Sequence, residues 1–187
     1  MKEILKVGGI LFFTSVVAAT SLAAVYSVTK PRILKSRQEQ FKAGLAIVLP
    51  GAAQDAIFPV EKDNQVVFYK GFTSPDTAQF VGYAYSGRAA GYSSIIETLV
   101  GVDSTGKVIG IKVISQVETP GLGTKIAEVK YGENLSWVQK QFIGKGAATC
   151  KVNKDGGEIN AITGATISSR AVAKGISEGY NKLVQSR

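Results

Sequence analysis

Residues Val7 to Thr29 carry no charged side chain. Twenty-three residues in a row without charge, at about 1.5 Å rise each, make roughly 34 Å of helix, enough to cross a bilayer core. The run holds Ile10, Leu11, Phe12, Phe13, Val16, Val17, Leu22, Val25 and Val28, with Gly8, Gly9, Ala18, Ala19, Ala23 and Ala24 between them. Small residues so interspersed suit packing against other membrane helices. Lys2 and Lys6 ahead of it, and small residues near Ala23 and Ala24, also resemble a cleaved leader. The apolar run exceeds a leader's usual core, so a retained anchor is predicted. It contains no cysteine, which excludes a lipoprotein anchor.

Behind the anchor the pattern changes. Pro31 is expected to bend or end the membrane helix. Ile33 to Leu49 carries apolar residues at helical spacing and closes at Pro50-Gly51. Short apolar bursts follow at Ala56–Val60, Gln65–Tyr69, Ala78–Tyr85, Tyr92–Val102 and Lys107–Val117. Turn residues separate them: Asp63-Asn64, Gly71 with Ser74-Pro75, Ser86-Gly87, and Asp103 to Gly106. This spacing predicts an antiparallel meander whose best hairpin turns at Asp103-Ser104-Thr105-Gly106. A short helix is expected around Lys125–Val129. Asn134 is expected to cap a second one through Leu135, Trp137 and Phe142. Residues 144–157 read as loop with a short strand around Cys150 and Val152. The clearest helix is the last, where Val172, Ile176, Tyr180, Leu183 and Val184 recur at helical spacing. The fold class is therefore α+β: one N-terminal transmembrane helix, then a mainly antiparallel sheet with flanking helices.

Composition narrows the chemistry. With no histidine there is no Ser-His-Asp triad, imidazole base or histidine metal ligand. A single cysteine, Cys150, excludes an internal disulfide, a four-cysteine zinc site and a self-contained iron–sulfur cluster. No metal ligands are assigned. Twenty-two basic against 14 acidic residues give a net charge of +8, yet basic residues form no run and do not interleave with aromatics. Nucleic acid is therefore not expected as a partner, whereas membrane lipid is. Tyr83, Tyr85 and Tyr92 are read as sheet residues, Cys150 as a buried or loop thiol, and Trp137 as an amphipathic-helix anchor.

Two segments carry chemistry. Asn160-Ala161-Ile162-Thr163-Gly164-Ala165-Thr166-Ile167-Ser168-Ser169 is a hydroxyl-rich turn leading into a helix N-terminus. Free backbone N–H groups and the positive end of the helix dipole make such a start suited to an anion, phosphate included. Gly164 and Ala165 leave the approach open, and Thr163 or Asn160 is expected to cap. The same arrangement also serves as a plain capping turn without a ligand. The other segment, Glu118-Thr119-Pro120-Gly121-Leu122-Gly123, can equally be a turn that ends a strand.

Taken together, in this order and about forty residues apart, Glu118–Gly123 and Thr163–Ser168 resemble the covalent FMN-binding domain family. Within it the chain is most similar to G subunits of Rnf-type ferredoxin:NAD ion-translocating complexes, and next to C subunits of sodium-pumping NADH:quinone oxidoreductases. The resemblance covers nearly the whole chain: the N-terminal helix, a Val-Leu-Pro-Gly segment at Val48–Gly51, and a flavin domain from about Gly82 to Val184. It implies FMN bound covalently through a phosphoester to Thr166. Thr163, Gly164 and Ala165 would lie beside the phosphate, and Glu118, Thr119, Gly121, Leu122 and Gly123 beside the flavin. No side chain is assigned as catalytic. Where the family pattern often has an aspartate, this sequence has Asn160, which keeps capping geometry but loses a charge.

The resemblance also implies partners and place: other membrane subunits of an Rnf-type complex, and a flavin transferase for maturation. The expected organisation is a cytoplasmic N-terminus at 1–6, a transmembrane helix at 7–29, a connecting helix at 30–51 and an extracytoplasmic FMN-binding domain at 52–187. Charge counting argues the other way, since Lys30, Arg32, Lys35 and Arg37 follow the span. The family resemblance is followed here, because in an assembled complex neighbouring subunits help fix topology. The expected function is electron relay, as a non-autonomous subunit of a translocase in the cell membrane, between ferredoxin and NAD sites on other subunits. A C-type quinone-reductase subunit, a membrane-anchored FMN-binding module without electron throughput, and a free-standing flavin reductase are the alternatives.

Overall fold

The computed structural model describes residues 1–62, 65–76, 79–133 and 135–187. The turn expected at Asp63-Asn64, the strand start at Ala78 and the cap at Asn134 lie outside the described residues. Contacts divide the chain into two compact units, Met1–Gln40 and Phe41–Arg187.

The first unit is most of helix α1 (Lys2–Val48). Its apolar side chains, Ile10, Leu11, Phe12, Phe13, Leu22 and Val25 among them, are exposed. A surface this apolar has no solvent other than lipid that suits it. Five of its hydroxyls turn inward. Thr14, Thr20, Ser21, Ser27 and Thr29 each donate to a carbonyl three or four residues earlier. These five need no water as a partner, as hydrocarbon requires. Pro31 does not end the helix, which runs on through it to Val48; only one main-chain donor is missing there, and the residues around it continue the helix.

In the second unit five strands form one antiparallel sheet in sequence order: β1 (Ile57–Lys62), β2 (Gln65–Phe72), β3 (Phe80–Ala90), β4 (Ile95–Val102) and β5 (Val108–Ser115). The meander is thus as expected. At the β4–β5 turn the Asp103 carboxylate accepts from the amides of Thr105 and Lys107 and from the Thr105 hydroxyl, and Gly106 takes a φ of 83°. The alternation of strand side chains separates two cores. On one face Ala84 and Leu99 pack with Leu45, Val48 and Leu49 from the end of α1. There the paired glycines Gly101 and Gly110 let the Val48 backbone lie directly on the sheet. On the other face Tyr85, Ala89, Val100, Val102 and Ile111 pack with Val172, Ile176 and Leu183 of helix α3 (Thr166–Ser186).

Ser86-Gly87 is not a turn. β3 runs through it to Ala90, and the chain reverses at Gly91, whose N–H donates to the Ser94 carbonyl at 2.7 Å. Gly87 is glycine because α3 comes so close: a Cβ there would sit 2.2 Å from the Gly175 carbonyl oxygen. One turn on, a Cβ on Gly179 would meet the Tyr85 ring at 2.6 Å, and the Tyr85 hydroxyl donates to the Ile176 carbonyl at 2.9 Å. The helix expected at Lys125–Val129 is instead a 3-10 turn at Gly123–Ile126. Helix α2 (Trp137–Phe142) is capped by Ser136, which exchanges hydrogen bonds with Gln139. Its buried residues are Val138, Gln139 and Phe142, so Trp137, about half exposed, is not its anchor. The strand expected near Cys150 is reduced to a single bridge between Val152 and Ile159. Cys150 is buried, and burial pushes its thiol up to about 11, so it is protonated and inert at neutral pH.

Gly87→Ala is expected to destabilise the domain by roughly 1–3 kcal/mol, because backbone must move to admit a methyl group. Thermal unfolding of the detergent-solubilised chain checks this, and an unchanged Tm would contradict the close packing of α3 on β3.

Candidate functional site

Three segments meet where α3 begins: the β3–β4 turn at Gly91–Ser94, the loop after β5 at Glu118–Gly123, and the first turn of α3. Between them lies a cleft of about 530 Å³, lined by Tyr92, Glu118, Thr119, Leu122, Gly123, Gly164, Ala165, Thr166, Ile167 and Ser168. The two motifs singled out in the sequence thus form one site. Gly121 and Thr163 are exposed and do not line it. Gly121 has a φ of 73° and makes the turn that sends Leu122 to the cleft. Thr124 steadies that turn, its hydroxyl accepting from the Gly121 amide at 3.0 Å and its amide donating to the Thr119 carbonyl. Leu122 reaches across to Gly164, where a Cβ would lie 3.3 Å from its Cδ2. Tyr92, expected in the sheet, stands in the turn and walls the cleft.

The α3 end carries the hydroxyls. The helix is capped by Ala165 without a side-chain hydrogen bond, so neither Thr163 nor Asn160 caps it. Asn160 is engaged elsewhere: its main chain pairs with the Gln141 amide, and its side chain with Asn153. The first helical hydrogen bond here runs from the Ser169 amide to Ala165. The amides of Thr166, Ile167 and Ser168 therefore precede it, free for a ligand. Ser169, fully buried, accepts from the Ile162 amide and donates to the Ala165 carbonyl. Ser168, 1% exposed, donates to Glu118 at 2.6 Å. Of the two α3 hydroxyls that line the cleft, that leaves Thr166, half-buried in its wall, as the one without a hydrogen-bond partner among the described residues.

Glu118 is the least expected feature. Its carboxylate is 4% exposed and accepts five hydrogen bonds. Oε1 takes the amides of Ser93 and Ser94 and the Ser94 hydroxyl; Oε2 takes the Tyr92 amide and the Ser168 hydroxyl. Burial acts to raise its pKa. The hydrogen bonds from Ser168, from the amides of Ser93 and Tyr92 and from Ser94 outweigh burial and hold it below the ordinary glutamate value. Sequence reasoning placed Glu118 near the cofactor but missed this role. Its partners lie 24 to 50 residues away in the chain, beyond the reach of any local pattern.

The arrangement suits a ligand with an anionic end and a flat apolar body. Helix amides meet the anion, while Tyr92, Leu122 and Ile167 offer apolar walls, and the volume is that of an ordinary cofactor site. FMN has both parts, and the residues present fit it.

Glu118 stabilises the fold while it is ionised. Its folded-state pKa lies below that of an unfolded glutamate, about 4.3. Its contribution is therefore present above that value and lost as pH falls through the folded pKa. The stability gap between wild type and Glu118→Gln is expected to be constant above about pH 5 and to shrink below about pH 4. Urea unfolding at stepped pH reads it, and a gap that does not change with acid would refute the assignment.

The sequence profile of the FMN-binding domain matches residues 91–181, and that of the RnfG N-terminal region matches residues 1–48. The G subunit of the ion-translocating oxidoreductase complex of Methanosarcina acetivorans is 35% identical over 177 residues, covering 91% of this chain and 89% of that one. The G subunit of the Na(+)-translocating ferredoxin:NAD(+) oxidoreductase complex of Acetobacterium woodii is 33% identical over 192 residues, covering 94% and 89%. Among solved structures, the C subunit of the Na(+)-translocating NADH-quinone reductase of Parabacteroides distasonis superposes with a TM-score of 0.59 at 18% identity, over 83% of this chain and 96% of that one, so the fold is shared. The chain thus has an FMN-binding domain behind a membrane anchor, and it belongs to the family of G subunits of ion-translocating oxidoreductase complexes.

Proposed function

We propose that this chain is the electron-carrying flavoprotein subunit of a membrane-bound ion-translocating ferredoxin:NAD oxidoreductase, with FMN attached through a phosphoester to Thr166. The observation that carries the reading is the single cleft in which the Thr166 hydroxyl, free of partners, stands at the open amides of α3 opposite the Thr119–Gly123 loop. When bound, the flavin supplies one-electron exchange, which demands no histidine and no acid–base side chain. The ferredoxin and NAD sites belong to other subunits, since no dinucleotide-binding Gly-x-Gly-x-x-Gly follows a strand here. The membrane subunits of such a complex are the partners of α1.

Each residue then has a task. Thr166 Oγ would carry the phosphoester: a flavin transferase would bring a flavin–nucleotide phosphoanhydride, the Oγ–P bond would form as the P–O bond of the anhydride breaks, the nucleoside monophosphate would leave, and the Oγ proton would pass to solvent. The amides of Thr166, Ile167 and Ser168 would hold the phosphoryl oxygens, with Gly164 keeping the approach clear. Leu122, Tyr92 and Ile167 would offer the ring apolar contact. Asn160, turned to Gln141 and Asn153, takes no part in the cleft lining. Residues 7–29 span the membrane, 1–6 stay in the cytoplasm and 52–187 lie on the extracytoplasmic side, where a lost flavin would not be replaced.

Wild type co-expressed with a flavin transferase is expected to give a fluorescent band on a denaturing gel, and Thr166→Ala none. Equal fluorescence from both would mean that another hydroxyl carries the group. Protease added outside intact spheroplasts is expected to remove the flavin-bearing domain, and full protection would place it in the cytoplasm.

A further inference from the structure

The cleft presents an apparent contradiction. Its helix N-terminus favours an anion, yet a buried carboxylate lines the same space. The contacts around Glu118 resolve it. Glycines make room for the carboxylate on two sides: a Cβ on Gly91 would fall 2.6 Å from Oε1, and one on Gly123 2.7 Å from the Glu118 Cβ and 2.8 Å from the Ser168 oxygen. The donors come from two separate segments, the Tyr92–Ser94 turn and α3. Both oxygens accept from main-chain N–H groups, so a glutamine in either orientation turns an N–H₂ toward a backbone donor. An ionised carboxylate has no proton of its own to offer Ser168. The proton in the 2.6 Å contact therefore belongs to Ser168 and is committed to Glu118. A hydroxyl with its proton so held cannot donate to a phosphoryl oxygen, and an anionic phosphate approaching the Ser168 oxygen would meet the ionised carboxylate beside it, whereas Thr166 two residues earlier has no such neighbour.

We infer that Glu118 is a positioning residue for the flavin site: ionised, it ties the Tyr92–Ser94 turn to the first turn of α3 and occupies the Ser168 proton, leaving Thr166 as the α3 hydroxyl that reacts. This rests on the reading that FMN attaches at Thr166, and it goes further by giving the reason for the choice between the two hydroxyls that α3 presents to the cleft. Glu118 acts through Ser168 and the turn, and itself forms no bond to the group.

The test uses the full-length chain in membranes, made together with a flavin transferase, and follows attachment by mass spectrometry of the tryptic peptide 155–170, which contains all four hydroxyls. In Glu118→Gln, attachment at Thr166 is expected to slow by about tenfold, as expected when a buried hydrogen-bonded charge is lost. A fraction of the flavin is expected on Ser168, whose proton the glutamine amide releases by donating to it. That change of position is a readout that a merely loosened fold does not produce. Ser168→Ala is expected to slow attachment as well. The double variant is expected to be no slower than the slower single one, because both substitutions break the same contact. Attachment to Thr166 alone at the wild-type rate in Glu118→Gln would overturn the inference, as would strictly additive losses in the double variant. Amide exchange across Val172–Ile176 reports whether α3 stays folded. If Glu118→Gln opens it, Ser168→Ala decides: slowed attachment supports the inference, and a wild-type rate overturns it. Absence of flavin from Thr166 in the wild type would instead remove the underlying reading.

Discussion

Everything at the site depends on how closely α3 lies on β3. A helix packed against a sheet through ordinary side chains can shift along its axis as those side chains repack. Here the Gly175 backbone meets the Gly87 backbone, and the Tyr85 hydroxyl is bonded to the Ile176 carbonyl. These contacts fix height as well as distance. A slip by one helical turn, about 5.4 Å, would break the tyrosine bond, and in one direction it would set Ala171 against Gly87. The start of the helix is fixed with it, and so are the three free amides and the Thr166 hydroxyl. The phosphate end of the site thus derives its precision from packing on the sheet, well along the helix from the chemistry.

The second requirement is electrostatic. A buried carboxylate unpaired with a cation is costly unless hydrogen bonds replace its water. Glu118 meets that condition with main-chain amides and hydroxyls alone, none of which can be removed by a change in another side chain's charge. Those donors are used up on the carboxylate, while the amides of Thr166 to Ser168 stay open. The site therefore holds two anion-binding arrangements side by side. One is filled permanently by the protein's own glutamate, and the other is left for a ligand.

What the sequence made legible was what is encoded locally. The uncharged run, the Asp103–Gly106 turn and the apolar spacing of α3 each depend on neighbours within a few positions, and each was readable. Gly87 reads as a turn because a glycine that makes room for a distant helix looks the same in sequence as one that reverses the chain. Pro31 does not stop the helix because its cost is one hydrogen bond, which a long helix absorbs. Side-chain chemistry points to Thr163 or Asn160 as the cap. Where the first helical hydrogen bond falls decides the cap, and it falls at Ala165. The Glu118 network joins segments far apart in the chain, so only the fold brings it into view. The resemblance of the two motifs to a flavin family named the right residues without saying that they face each other across one cleft.

The openness of that cleft bears on why a covalent bond would serve here. Its apolar walls stay in contact with water: Tyr92 is 71% exposed, Leu122 44% and Ile167 46%. A flat ring laid among them is covered in part only, and affinity from apolar burial scales with the area removed from water. Deepening the cleft would hold the ring more tightly and would also bury the edge through which an electron carrier must exchange with its partners. On the proposed reading, a phosphoester at Thr166 would separate these two demands. Retention passes to a bond at the phosphate end, where the helix amides already fix the geometry, and the ring end is left accessible. The membrane anchor does the same at larger scale, since holding the carrier beside its partners substitutes local concentration for tight binding. On the proposed reading, both devices allow contact without burial.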